Sequence, residues 1–425
     1  MTLKFNDDFK FGVATAATQI EGGNLNSNWN HWHDLGKIKH HDDPAVADDH
    51  YNRVSEDIEL LKTLNVTVYR MGIEWARIEP EPGVFNQNVL KHYRDELIQL
   101  REAGITPLLT LYHFSHPMWF EQMGGFLHPE AISIFLRYVK RVLIYVEDLV
   151  DEYITINEPN VYAMNSYFFK EWPPGDGNLL HTIQVMNTLA EAHILTYQTI
   201  HRLVRRDCVK VSFAHHVRVF SPKDAHNPLH VSLTRMNQWI FQDCLSKACY
   251  RGEFCFPLVQ PKSVQRGEYA DFIAINYYTR STISGLKDGV KEGAPHNDLG
   301  WEIYPQGIVE VAQDLYKVLA RDIWITENGT CDNQDTFRNR YLFEHFKAMT
   351  ESSLPFKRYY HWTFIDNFEW VEGYSAKFGL IGVDLDTQIR TRKASADFFA
   401  EVAMTHEVSE SLYERTVADQ QYPLD

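Results

Sequence analysis

Residues 152–159 read Glu152-Tyr153-Ile154-Thr155-Ile156-Asn157-Glu158-Pro159. The run Glu152–Asn157 is short and rich in β-branched and aromatic residues, which suits a strand and is too brief for a helix. Pro159 has no N–H to continue a ladder, so the strand ends with Asn157 and Glu158 at its tip. On either side, Pro129–Leu149 and Ile183–Val204 carry apolar residues at three- and four-residue spacing, the mark of amphipathic helices. Working outward, the same alternation continues. Strands are expected at Asp8–Ala14, Val66–Ile73, Ile105–Tyr112, Val209–Ala214, Phe272–Tyr277, Asp322–Thr326 and Arg358–Phe364. Further helical patterns cover Ser55–Leu64 and Gln87–Ala103. Eight strand–helix units of parallel order predict an α/β fold, a (β/α)₈ TIM barrel. The competing fold is a doubly wound open sheet. It would usually show a glycine-rich phosphate turn after an early strand, and neither GxGxxG nor GxxxxGK occurs here. No Pro/Gly/Ser linker or internal repeat interrupts the chain. One catalytic domain over residues 1–425 is expected, with a polar C-terminal tail from about His406.

The net charge of −16, spread along the chain, argues against a nucleic-acid surface, which needs a basic stripe. A hydrophobic content of 44% supports a large core. The chain has 10 Trp and 22 Tyr, many of them near Asn, Glu and His. Such aromatics stack on the C–H faces of sugars, and equally they fill a big core; composition leaves both readings open. The five cysteines, Cys208, Cys244, Cys249, Cys255 and Cys331, are odd in number and form no CxxC pair. A disulfide framework or cysteine zinc site is not expected, and a reducing cytoplasm is the default. Met1–Phe11 lacks an apolar signal core, and no stretch is long and apolar enough for a membrane span. Neither nucleic acid nor membrane is expected as a partner.

In such barrels the functional side chains gather at the C-terminal strand ends. Gln19 and Glu21 follow the first strand, and the second carries Arg70. The third ends in Tyr112-His113-Phe114, the fourth in Asn157-Glu158, the fifth in His215-His216 and the sixth in Asn276-Tyr277-Tyr278. The seventh ends in Ile325-Thr326-Glu327-Asn328-Gly329. The eighth carries Trp362, followed by Asp366-Asn367-Phe368-Glu369-Trp370. A purely structural barrel has no need of polar and aromatic residues at nearly every strand end. Glu158 and Glu327 stand on different sides of the mouth and can face each other across a bound group. Acetal hydrolysis needs such a pair: one carboxyl protonates the leaving oxygen, the other attacks the anomeric carbon or activates water. A lone Glu at a strand end is usually solvated or salt-bridged, whereas two, each flanked by Asn and a turn-forming residue, call for a joint explanation. Arg70 near Glu327 would keep that carboxylate ionised, or would simply be an interior ion pair. Tyr278 is placed to donate to the same carboxylate, and Asn157 to reach a sugar 2-hydroxyl.

His31, His33, His40, His41 and His50 lie among Asp42, Asp43, Asp48 and Asp49, a mixture that could hold a metal. The run reads instead as a solvated, loop-like polar segment, since HxH alone is weak and no HExxH occurs. His215-His216 lacks an obvious remaining ligand set. No metal and no cofactor are expected.

With these motifs assembled, the chain resembles glycoside hydrolase family 1, the β-glucosidase and β-galactosidase family. The resemblance runs through Phe11–Gly22, Tyr69–Pro80, Thr155–Pro159, Gly300–Pro305, Ile325–Gly329, Trp362–Gly373 and Phe378–Leu380. It implies a retaining, exo-acting β-glycosidase with Glu158 as acid/base and Glu327 as nucleophile. The terminal sugar would be bound by Gln19, His113, Asn157, Glu369 and Trp370, with Trp362 as its stacking floor. Arg70, Asn276 and Tyr278 would support Glu327. The substrates implied are small-molecule or oligosaccharide β-glycosides, glucosides foremost, then galactosides and fucosides. The chain departs from the family in carrying Phe114 where Trp is frequent, and in short segments after Phe168 and Thr282, on the aglycone side. Three other readings stand beside this one. A binding protein on a dead barrel would lack one of the two Glu. A transglycosylase would pass the glycosyl group to an alcohol. A metal-dependent hydrolase would respond to a chelator.

Overall fold

The computed structural model describes residues 2–285 and 288–423. Eight parallel strands form its centre: β1 Lys10–Ala14, β2 Val68–Gly72, β3 Thr106–Thr110, β4 Glu152–Asn157, β5 Lys210–His216, β6 Ile273–Asn276, β7 Ile323–Asn328 and β8 Phe356–Trp362. They close into a barrel in sequence order, since β8 pairs with β1 through Tyr359 and Phe11. That closure excludes the open sheet. After each strand the chain returns along the outside through a helix. In order these include α1 His50–Thr63, α2 Gln87–Glu102, α3 Ala131–Val146, α4 Leu179–Leu203, α5 Cys244–Arg251, α6 Gly307–Val318, α7 Arg338–Thr350 and α8 Ala394–Thr405.

The helices form for local reasons and stay for tertiary ones. In α3, Ile134, Phe135, Tyr138, Val139, Val142, Leu143 and Val146 make one buried stripe against the strands. Asn86 caps α2, accepting from the backbone N–H of Asn88 and Val89. Two expected strands run further than the apolar pattern suggested. β5 continues through His215 and His216, and β7 through Glu327 and Asn328. Parallel neighbours on both sides supply backbone partners whatever the side chain: His215 faces Ile275, and His216 and Glu327 both face Asn276.

Side chains fill the barrel in layers, visible along β8. Arg358 lies at the floor, Tyr360 in the middle and Trp362 at the mouth. Arg358 donates to both carboxylate oxygens of Glu152 at 2.5 Å and covers the Trp324 ring, 3.7 Å from its centroid.

The segment from His406 onward packs on the barrel. Glu407–Val408 pair antiparallel with Leu3–Lys4, and a short helix, Glu410–Thr416, follows with Ser409 as its cap. Leu412 and Val417 are buried there, and Tyr413 meets Phe343. The histidine-rich run is also not a plain loop. It begins in a helix, Asn28–Asp34, held by a Ser27/Asn30 capping box and by the buried Trp29 and Trp32. Among the described residues no helix is long and apolar enough to cross a membrane.

Candidate active site

Glu158 and Glu327 stand at the mouth where the ladders are least regular. The β4–β5 pairing shifts between Ile154 and Asn157, and the β6–β7 pairing between Ile325 and Glu327. Such irregularities re-aim the side chains that follow them. Glu158 itself has φ 40°, in the left-handed region, and its N–H donates to the Ala214 carbonyl at 2.8 Å. Phe114 and Trp370 share that unusual backbone, with φ 66° and 52°. Three strained residues around one cavity are held there by the surrounding fold.

Arg70, fully buried, organises the centre. Its Nε donates to Thr110 Oγ1 at 3.1 Å, and Nη1 donates to the Thr326 carbonyl at 3.2 Å and to Glu327 Oε1 at 2.5 Å. Nη2 donates to Asn157 Oδ1 at 2.6 Å. The Tyr278 hydroxyl donates to Glu327 Oε2 at 2.5 Å. Both oxygens of Glu327 therefore meet donors, one of them charged. Asn276, expected to support Glu327, makes its side-chain hydrogen bonds to other residues: Nδ2 donates to Glu158 Oε1 at 2.8 Å and to Asn157 Oδ1 at 3.0 Å. Thr326 Oγ1 donates to Asn276 Oδ1 and so fixes which way the amide points. Asn276 shares a rung with Glu327, and its side chain reaches Asn157 and Glu158 at the end of β4.

Burial pushes both glutamates above the usual carboxylate range. At Glu158 the Asn276 hydrogen bond and the charges of Arg70 and Arg218 oppose this. At Glu327 Arg70 opposes it, and the neighbouring charge of Glu158 adds to it. Two buried carboxyls so coupled titrate as a pair. The donor sets are unequal: Glu327 lies between a guanidinium and a phenol, which favour its charged form, and Glu158 has no Arg or Lys in direct contact.

The cavity above them has a volume of about 300 Å³. His113 stands between Trp362 and Trp370, 5.8 Å from each ring and nearly parallel to both. One of its nitrogens meets the Asn157 amide at 3.0 Å, and the other is buried without a partner. Burial, with the charge of Arg70, holds this imidazole well below the usual histidine range, so it is neutral. Its free nitrogen is then the N–H, because Asn157 Nδ2 is itself a donor. Gln19, fully buried, donates to the Phe368 carbonyl at 2.8 Å and to Asn367 Oδ1 and Glu369 Oε2 at 3.2 Å. Its Oε1 has no partner. Glu369 lines the cavity, and burial pushes its carboxyl up to about 8. His113, whose buried N–H has no partner, lines the cavity, an opening that suits a hydroxyl-bearing ligand.

Glu21 lies apart from this constellation, bonded to Arg77 and Tyr93. His50 is buried between Asp57 and Glu96 and is pushed up to about 10 by those partners, against burial. No group of three or more His, Cys, Asp and Glu among the described residues is placed to hold a metal. Several cavity residues were missed as site residues by sequence reasoning, among them Trp172, Trp301, His216 and Arg218. Trp172 arrives from the connection between β4 and α4, and Trp301 lines the same cavity. His216 was weighed only as a metal ligand and meets Glu158 instead. His216 carried a signal in its place at a strand end, and Trp301 in its place within the Gly300–Pro305 stretch.

The profile of Glycosyl hydrolase family 1 matches residues 1–408. The chain is 31% identical to β-glucosidase A of Thermotoga maritima, across 94% of this chain and 97% of that one. It is 30% identical to the chloroplastic galactolipid galactosyltransferase of Arabidopsis thaliana, across 83% of this chain and 57% of that one. Among solved structures, a β-glycosidase from Pyrococcus horikoshii superposes with a TM-score of 0.89 at 30% identity, covering 98% of each chain.

Proposed function

The chain belongs to glycosyl hydrolase family 1, and from that premise we propose that it is a retaining, exo-acting β-glycosidase with Glu327 as nucleophile and Glu158 as acid/base. The observation that carries this reading is the unequal donor sets of two buried glutamates on opposite strands. Glu327 is held ionised by Arg70 and Tyr278, ready to attack the anomeric carbon. Glu158 holds the proton that the departing oxygen needs. As the glycosyl–Glu327 ester forms, the glycosidic C–O bond breaks and that proton goes to the leaving group. The charge on Glu327 is then consumed, the Glu158 carboxylate becomes more stable, and it takes a proton from the water that attacks the anomeric carbon. Two inversions at one carbon retain its configuration. A 2-deoxy-2-fluoro glycoside tests this: mass spectrometry should find the label on Glu327, and NMR of early product should show the β anomer. A label elsewhere, or an α product, overturns the assignment.

The terminal sugar would lie over Trp362, with His113, Gln19, Asn157, Glu369 and Trp370 meeting its hydroxyls. Asn157 Oδ1 already accepts from Arg70 and Asn276, and Nδ2 donates to His113, so one N–H remains for the 2-hydroxyl. Unphosphorylated β-glucosides are the proposed substrates, with β-galactosides and β-fucosides next, since a carboxyl at Glu369 meets a 4-hydroxyl in either orientation. Glu171, Glu327 and Glu372 line the cavity against one arginine, Arg218, a balance that disfavours a 6-phosphate. Nitrophenyl β-glucoside assayed against its 6-phosphate decides the point; faster turnover of the phosphate rejects it. A second reading is favoured by one relative, whose name is that of a galactosyltransferase. An acceptor alcohol would replace water on the same intermediate. The ratio of transfer product to free sugar at rising acceptor concentration separates the two.

A further inference from the structure

His216 and Arg218 sit beside Glu158, and no step above uses them. His216 closes β5, buried, with its ring nearly parallel to Tyr278 and edge-on to Phe241. Its Nδ1 lies 3.2 Å from Glu158 Oε1. Two residues on, Arg218 brings Nε and Nη2 to His216 Nε2, at 3.3 and 3.0 Å. Arg218 is itself seated: its backbone N–H donates to Gln242, Nη1 donates to Ser281, and its guanidinium lies over the Phe241 ring.

A guanidinium has donors and no acceptor. Nε2 of His216 must therefore offer its lone pair to Arg218, and the proton of the neutral ring is on Nδ1. That N–H points at Glu158 Oε1, which already accepts from Asn276 at 2.8 Å. Oε1 thus takes two donors, while no donor among the described residues reaches Oε2.

We propose that His216, its tautomer fixed by Arg218, is a positioning residue that occupies Oε1 of Glu158 together with Asn276 and so confines the transferable proton to Oε2. This rests on Glu158 being the acid/base. The consequence is geometric and electrostatic. A carboxylic acid free to carry its proton on either oxygen is aimed correctly only part of the time. A hydrogen bond from a neutral N–H also favours the ionised carboxyl, so His216 holds Glu158 lower than burial alone would. Among the described residues, Arg70 and Arg218 face this pair and favour ionisation, and Glu327 and Glu369 oppose it; the Tyr278 phenol faces both carboxylates.

The test compares His216→Phe, which keeps a ring and loses the donor, with His216→Asn, which returns an N–H near the Nδ1 position. Both are assayed against pH with 2,4-dinitrophenyl and methyl β-glucoside. In His216→Phe the basic limb of kcat/KM should move up by about one pH unit, the size of losing one hydrogen bond to a charged group. Turnover of the methyl glucoside, which needs acid assistance, should fall on the order of tenfold, with the dinitrophenyl glucoside nearly unchanged. His216→Asn should bring both readings back toward the parent. A side chain that merely fills space would lower both substrates equally and leave the limb in place. That result, obtained while azide still rescues Glu158→Ala, overturns this proposal alone. Failure of azide rescue overturns the acid/base assignment and this proposal with it.

Discussion

Two arginine–glutamate pairs lie inside the barrel, one at each end, and they differ in what surrounds them. At the floor Arg358 clasps both oxygens of Glu152 and lies over Trp324. Arg358 has one further hydrogen bond, to the Tyr360 hydroxyl at 3.1 Å. At the mouth Arg70 is divided among Thr110, Thr326, Glu327 and Asn157, and Glu327 also meets Tyr278 and the cavity. The floor pair is closed and neutral as a unit. The mouth pair leaves a carboxylate held rigidly at the edge of open space, which is what a nucleophile requires. The same residue types thus serve the fold at one end and chemistry at the other. The difference lies in whether a second carboxyl and a cavity stand next to them.

The sharpest way to break this contrast is Glu327→Ala. The proposed role predicts loss of activity by roughly 10⁴- to 10⁶-fold, the scale on which removing a covalent nucleophile acts. Stability should fall as well, because Arg70, fully buried, is left without its carboxylate. Steady-state kinetics with thermal unfolding of the same sample checks both halves.

Glu158→Ala should cost less, about 10²- to 10⁴-fold on substrates with poor leaving groups, and far less on dinitrophenyl glycosides. Azide should restore turnover as the β-glycosyl azide. In the parent enzyme activity should fall on the acid side as Glu327 takes a proton and on the basic side as Glu158 loses its own. Glu158→Ala should flatten the basic limb alone.

At the floor the expectation reverses. Arg358→Met leaves Glu152 buried without its cation and should destabilise the fold by about 3 kcal/mol. The kcat of the molecules that remain folded should stay near the parent value. Replacing both partners, Arg358→Met with Glu152→Leu, should recover much of the loss in chemical denaturation. A floor variant that lost activity at full stability would end the distinction drawn between the two pairs.

The smallest effect concerns Glu369. Its folded carboxyl is pushed up from 4.5 to about 8 by burial. Between those values the folded state holds a proton that the unfolded chain has released, so stability falls as pH rises through the window. Glu369→Gln removes that slope. Its Tm should gain on the parent at pH 8 and not at pH 5, while glucoside affinity declines.

Much of this architecture could be read along the chain. The run 152–159 shows a strand ending in Asn157 and Glu158 because side-chain alternation and proline chemistry are local. Glu158, Glu327, His113, Trp362, Glu369 and Trp370 were all legible as strand-end residues, and they line one cavity. Gln19, Asn157 and Asn276 lie just behind it, fully buried. The misreadings concern partners. Asn276 was expected at Glu327 and donates to Glu158, 118 positions away. His216 was weighed as a metal ligand and meets the same carboxyl. Trp172 comes in on a connection whose path no periodicity describes.

By itself, then, the sequence determined eight alternating units, the barrel they build and the residues delivered to its mouth, because those follow from periods of 2 and 3.6 and from the chemistry of strand ends. Only the tertiary structure decided which donor meets which carboxylate oxygen. That depends on the shifts in the β4–β5 and β6–β7 ladders and on the curvature imposed when β8 closes on β1. A hydrogen bond is made or lost within less than an ångström, and in this barrel such displacements arise from closure and ladder irregularity, which no local pattern in the chain encodes.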